Sequence, residues 1–180
     1  MSLTTTAYYV HDVNVPTGTY STLEAAIARY EREIIRRLLG YDLAKLVLAY
    51  DSNNPKASSQ IIRDIVEGKE YTEGDYTVKW NGLLNTEKVS ILSYYVYIQI
   101  ACDKAMTLQN IGAVVSDVEA GQVLSPAQLI RKAGYRLRDL AGYYGQDLYE
   151  PSLYNFMMKH IDSYPTWIFK DYGPMNEFGI

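Results

Sequence analysis

The side chains able to do chemistry are few in this 180-residue chain, and their spacing is loose. There are two histidines, His11 and His160, and one cysteine, Cys102. Acid–base catalysis by histidine needs a positioned partner, and a lone histidine is far more often structural or exposed than catalytic. Cys102 falls on an apolar helical stripe, where a thiol behaves as a small hydrophobe, and nothing beside it would activate a thiolate. Glu31, Glu33 and the run from Glu67 to Asp75 supply carboxylates, which read as solvated charges on helix faces and loops rather than as an acid–base pair. No spaced Cys/His set and no HExxH motif occurs, and neither GxxxxGK[ST] nor GxGxxG is present. Metal ligation and the familiar phosphate cradles therefore lack their usual residues. The expectation is a protein that is not an enzyme, with no catalytic, cofactor-binding or metal-binding residue and no cofactor.

Contact chemistry is better represented. Arg131, Lys132, Arg136 and Arg138 stand within eight positions, opposed by Asp139. Such a cluster is either a solvated helix face or a surface for an acidic partner. Tyr76, Trp80 and Trp167 could stack on a ligand if exposed, although tryptophan more often anchors the edge of a core. Tyrosine is over-represented, 18 against 3 Phe and 2 Trp. Its apolar ring and polar tip suit both hydrogen-bonded core edges and interfaces. Tyr76, Trp80, Arg131, Lys132, Arg136 and Arg138 are the candidate partner contacts.

The totals bound the rest. Hydrophobic residues make up 48% and charged residues 21%, which is enough for a packed core and too apolar for disorder. A net charge of −4 lacks the concentrated basic footprint of a generic nucleic-acid binder, so no sequence-specific nucleic acid is expected. One cysteine excludes an intramolecular disulfide and fits a reducing compartment. The first residues, MSLTTTAYYV, lack the pattern of a signal peptide. No apolar run approaches the length of a membrane span. A cytoplasmic protein is expected.

Residues 1 to 19 carry no helical period and read as an extended arm, with a short strand around Ala7 to Val10 and with Tyr8, Tyr9 and Val10 favouring docking. Ser21-Thr22-Leu23-Glu24 is a capping box. The helix after it buries Leu23, Ile27, Tyr30, Ile34, Ile35 and Leu38 and stops at Gly40. A second helix carries Leu43, Leu46, Val47 and Tyr50. Asn54-Pro55 opens a third, over about 56 to 67, with Ile61, Ile62, Ile65 and Val66 inward; Gly68 ends it. Glu73-Gly74-Asp75 is a turn, Tyr76 to Trp80 alternates as a short strand does, and Asn81-Gly82 is a turn signal.

Between Val89 and Asp103 local propensity and periodicity conflict. Ser93 to Ile98, SYYVYI, is strand-like in composition. Yet Val89, Leu92, Val96, Gln99 and Asp103 form one helical column, and Ile91, Tyr95, Ile98 and Cys102 the next. The apolar block is far longer than a strand and contains no turn. A helix over about 86 to 106, capped by Asn85 or Thr86 and apolar nearly all round, is the central helix of a bundle. Residues 107 to 124 interrupt the pattern, either with a short strand at Ile111 to Val115 or with a loop that orders on a partner. Ser125-Pro126 starts the next helix, burying Leu129, Ile130, Ala133, Leu137, Leu140 and Ala141. Glu150-Pro151 starts the last, to about His160. The tail from 165 to 180 holds a short strand, Trp167 to Lys170. The fold expected is mainly α: a helical bundle with a long central helix and minor β segments, in one domain over 20 to 164.

The succession YEREIIRRLLGYDLAKLV, KWNGLL, SYYVYIQIACDK, SPAQLIRKAGYRLRD and a terminal NEFGI resembles a family of uncharacterised phage and prophage proteins from gut anaerobes. The resemblance spans residues 20 to 180 and rests on order and character rather than on a catalytic signature. That family in turn resembles, more distantly, phage head-tail connector (head completion) proteins, and no individual connector binding residue matches a position here. The resemblance implies a virion structural protein that acts as a homo-oligomeric ring between portal and tail proteins. A small-ligand or carbohydrate-binding module with Trp80, Tyr76 and Trp167 as platforms is the second reading. An enzyme using a carboxylate or tyrosine as acid or base is the third.

Overall fold

The computed structural model describes residues 2–14, 23–85, 87–111, 126–142 and 149–168. It is mainly helical, with one two-stranded antiparallel sheet. The capping box at Ser21-Thr22 and the 112–124 part of the interrupting segment lie outside the described residues.

The first long helix, α1 (Leu23–Leu48), buries Ile27, Tyr30, Ile34, Ile35 and Leu38, the stripe its spacing requires. Gly40 breaks it with φ 75° and ψ 177°, so that a second helical piece leaves at a new angle. That piece buries Leu43, Ala44 and Val47 but leaves Leu46 exposed, against expectation; the covered arc is centred on Val47 and turned toward Ala44, so Leu46 falls beyond its other edge. Pro55 opens a 3-10 turn (Pro55–Ala57) rather than a long helix, and α2 (Gln60–Glu67) follows, burying Ile62, Ile65 and Val66 with Ile61 turned outward.

Gly68 ends α2 at φ 100°, and the chain enters β1 (Lys69–Glu73), a turn at Gly74, and β2 (Tyr76–Trp80). The register pairs Lys69 with Trp80 and Glu73 with Tyr76. Gly82 then lies against the end of α2. A Cβ on Gly68 would sit 2.3 Å from the Trp80 carbonyl oxygen, and one on Gly82 would sit 2.5 Å from the Glu67 carbonyl carbon. With the two backbones this close, Leu83 N–H donates to Ile65 O at 3.1 Å and Leu84 N–H to Val66 O at 2.8 Å.

The central helix, α3 (Ile91–Ile111), packs against α1 and against α4 (Pro126–Ala141). Ile91, Leu92, Tyr94, Tyr95, Val96, Ile98 and Ile100 are all buried, so periodicity and length override strand propensity here. Its start lies five residues later than expected. Asn85 holds the loop, accepting from Val89 N–H at 2.9 Å, and Ser90 is the cap, its hydroxyl accepting from Leu92 N–H at 3.1 Å. The last helix, α5 (Leu153–Lys159), is capped by Ser152, whose hydroxyl accepts from Asn155 N–H at 3.3 Å; it buries Leu153, Phe156 and Met157.

The arm is not a strand. It forms two 3-10 turns, Thr6–Tyr8 and His11–Val13. Tyr9, after the first turn, and Val13, at the end of the second, enter the core of the same chain. At the other end, the described part of the expected tail strand, Trp167 and Ile168, is irregular. No helix among the described residues is long and apolar enough to cross a membrane.

Candidate functional site

Of the candidate contacts, those left exposed lie on α4 and at the tip of the hairpin. Ala133, Leu137 and Ala141 turn one face of α4 into the core. Helical spacing then leaves Arg131, Lys132, Tyr135, Arg136, Arg138 and Asp139 outward, and all six are exposed. Lys132 Nζ meets Asp12 of the arm at 2.8 Å, with both partners solvent-accessible, so the pair contributes little to stability. The Arg138 guanidinium lies 5.1 Å from the centre of the Tyr135 ring. Beneath this stripe, burial raises the Tyr94 phenol pKa, as does Asp12, while Arg136 and Lys132 oppose the shift.

Tyr76 and Trp80 separate. Tyr76 is 53% exposed at the hairpin tip and meets the equally exposed Tyr149 edge to face at 6.2 Å. Lys79 N–H donates to the Tyr149 carbonyl at 2.8 Å, which ties that segment to β2. Trp80 is 3% exposed, stacks on Phe156 at 5.5 Å and donates from Nε1 to Ile65 O at 3.2 Å. Its expected role as a partner contact is therefore overturned: on the same strand face as Tyr76, it lies over the core while the tip lies beyond it. Trp167 is likewise internal, its Nε1 donating to Leu38 O at 2.9 Å.

A cleft of about 100 Å³ lies between the end of β2, the end of α4 and the start of α5. Glu87, Asp139 and Glu150 line it, with Asn81, Asn85 and Ser152. Among the described residues no three His, Cys, Asp or Glu side chains converge closely enough to hold a metal ion.

The isolated chemical residues have structural surroundings. His160 Nδ1 lies 2.9 Å from the Phe156 carbonyl, and the ring packs against Tyr71 and Phe156, each at 4.7 Å. Burial and the neighbouring Asp103 push the Cys102 thiol pKa up, away from the reactive thiolate. Burial and the Glu67 carboxylate push the Tyr50 phenol up to about 12, and its hydroxyl donates to Glu67.

Glu31 departs from the reading of solvated carboxylates. It is 1% exposed. Its carboxylate accepts from Leu3 N–H and Thr4 N–H, each at 2.8 Å, and from the Thr4 hydroxyl. Burial raises its pKa, and the bonds from Thr4 and Leu3 oppose the rise. The sequence held a signal for it: position 31 falls four residues after Ile27 and three before Ile34, within the buried stripe of α1.

No protein-family model matches this chain, and no curated protein and no solved structure matches it either.

Proposed function

We propose that this chain is a structural adaptor of the head-tail connector kind, a virion component acting by assembly as a homo-oligomeric ring against the portal and tail proteins of a phage. In the host cell it would be cytoplasmic until incorporated. The observation that carries the reading is the character of the exposed chemistry. Cations and tyrosines stand on rigid elements, α4 and the hairpin, as a contact surface requires. The arm adds a docked terminal segment of the sort that assembly proteins rearrange on neighbours. Burial of Trp80 and Trp167 removes two of the three platforms on which the ligand-binding reading stood.

The test is absolute mass by light scattering across a concentration series, with electron microscopy of the same fractions, alone and with a portal protein. Closed rings of uniform subunit number are the expected result. A chain that forms no ring in either setting overturns the reading.

A further inference from the structure

We infer that the outer edge of β1 pairs with the same edge of a second copy of this chain, antiparallel about Tyr71, so that two hairpins join into one four-stranded sheet. The register decides which backbone groups face outward. Gly74-Asp75 forms a two-residue turn, after which Glu73 pairs with Tyr76, Tyr71 with Val78 and Lys69 with Trp80. A turn of this length closes on a pair that exchanges hydrogen bonds, and such pairs alternate along an antiparallel ladder. Residues 69, 71 and 73 therefore turn their N–H and C=O groups toward β2, while Glu70 and Thr72 turn theirs away. The other strand has the same phase: Lys79, which faces Glu70, directs its N–H outward to the Tyr149 carbonyl at 2.8 Å. The outer edge of β2 thus has a covering segment. Glu70 and Thr72 are exposed, and among the described residues no hydrogen bond reaches their outward groups.

The occupant follows from the residues of the edge, KEYTE, which complement themselves when reversed. Outward-bonding residues must face each other. Setting Tyr71 against Tyr71 of the second copy places Glu70 of each chain opposite Thr72 of the other, and these two pairs satisfy every outward N–H and C=O on both edges. The same register sets Lys69 of each chain across from Glu73 of the other. Within one chain Asp64 holds Lys69 at 2.9 Å, and Lys159 holds Glu73 at 2.5 Å. Charges across the contact therefore run Asp64, Lys69, Glu73, Lys159 with alternating sign. Tyr71, packed on Phe156 and His160, makes an aromatic pair at the two-fold axis. A slip of two residues in one direction faces Glu70 with Glu70, and in the other runs the ladder into the turn at Gly74. A short charged edge is ordinarily guarded against pairing; here the charges match along the whole strand in one register alone.

The pairing goes beyond the connector reading and is independent of it. A two-fold contact closes at two copies, and a ring needs a further head-to-tail face.

The experiment is light scattering on the full chain over a concentration series, for the wild type and Thr72→Pro. Proline at 72 removes an outward N–H and leaves the β1–β2 ladder intact, which circular dichroism melts check. A second arm, in a Cys102→Ser background under mild oxidation, compares Glu70→Cys alone, Thr72→Cys alone and the two mixed. A dimer is expected for the wild type, and Thr72→Pro raises the dissociation constant on the order of tenfold or more. The mixture cross-links, whereas neither variant alone does, because like positions lie too far apart along the paired strands for a disulfide. A wild type that stays monomeric throughout overturns the pairing, as does a folded Thr72→Pro that dimerises as tightly, or a mixture no better cross-linked than its components. Should Thr72→Pro unfold the chain, the cross-linking arm decides. Rings that form without the 70-to-72 cross-link overturn the pairing and leave the connector reading standing. Dimers that carry it, with no ring alone or on a portal, uphold the pairing and overturn the connector reading.

Discussion

Thr4 and Glu31 are joined at 2.8 Å, backbone N–H to carboxylate, across 27 residues of chain. With the Leu3 N–H at the same distance and the Thr4 hydroxyl as a third donor, one buried side chain anchors the terminal arm. Glu31→Ala leaves these donors without their acceptor in a site closed to water. A loss of about 2–3 kcal/mol in stability is expected, together with new protease cleavage between residues 2 and 14. Denaturant melts and limited proteolysis with mass mapping read the two effects. A melt that shifts without new cleavage in the arm would show that Glu31 serves the core and not the arm.

The same residue sets a pH dependence. Burial raises the folded-state pKa of Glu31 above its ordinary value of 4.5, so the native state holds this proton more tightly than the unfolded chain. Its contribution is therefore fully present below pH 4.5 and is lost as pH rises through the raised native value. Glu31→Gln removes the titration. The difference in stability between wild type and variant should change across that window and be flat above it, measured as denaturant midpoints against pH. A constant difference at every pH would show that Glu31 does not titrate in this way.

Tyr50 gives the alkaline counterpart. Its phenol is pushed up to about 12, so the native state keeps a proton that the unfolded chain releases near 10. That stabilisation is present below pH 10 and is lost as pH rises through about 12. Tyr50→Phe should lessen the loss of stability in this window, as followed by circular dichroism melts.

The approach of Gly68 to Gly82 predicts that neither tolerates a side chain. Both have positive φ, and an added Cβ would lie 2.3 Å and 2.5 Å from backbone atoms. Gly68→Ala or Gly82→Ala should each cost about 2–4 kcal/mol, whereas Gly74→Ala, with nothing within 4 Å, meets only the strain of its φ of 59°. Thermal melts of the three variants check the order.

Tyr76 and Trp80, four residues apart on one strand, should respond oppositely. Trp80→Ala removes a buried ring stacked on Phe156 and should cost about 3–5 kcal/mol. Tyr76→Ala should stay within about 0.5 kcal/mol of the wild type while weakening any assembly that uses the hairpin tip. Melts and light scattering on the same preparations separate the two effects. A Tyr76 variant as unstable as the Trp80 variant would place the tip in the core.

By itself the sequence determined the order and character of the helices. The Ile27–Leu38 stripe, the break at Gly40, the proline starting α4 and the all-round apolar block of α3 are local patterns, and local spacing reports which face of a helix is buried. It also told β2 and its turn, but not β1, because KEYTE alternates nothing apolar and becomes a strand only by pairing with YTVKW. The tertiary structure alone decided which polar residue in a stripe finds a partner. Glu31 sits in the core because Leu3 and Thr4, far away in sequence, bring it donors. Trp80 sits inside and Tyr76 outside because Phe156 of α5 covers one and not the other. The four basic residues on α4 were legible as a cluster. The acidic cleft at the end of α4 was not, since Glu87 and Glu150 reach Asp139 only when the ends of β2, α4 and α5 are folded together.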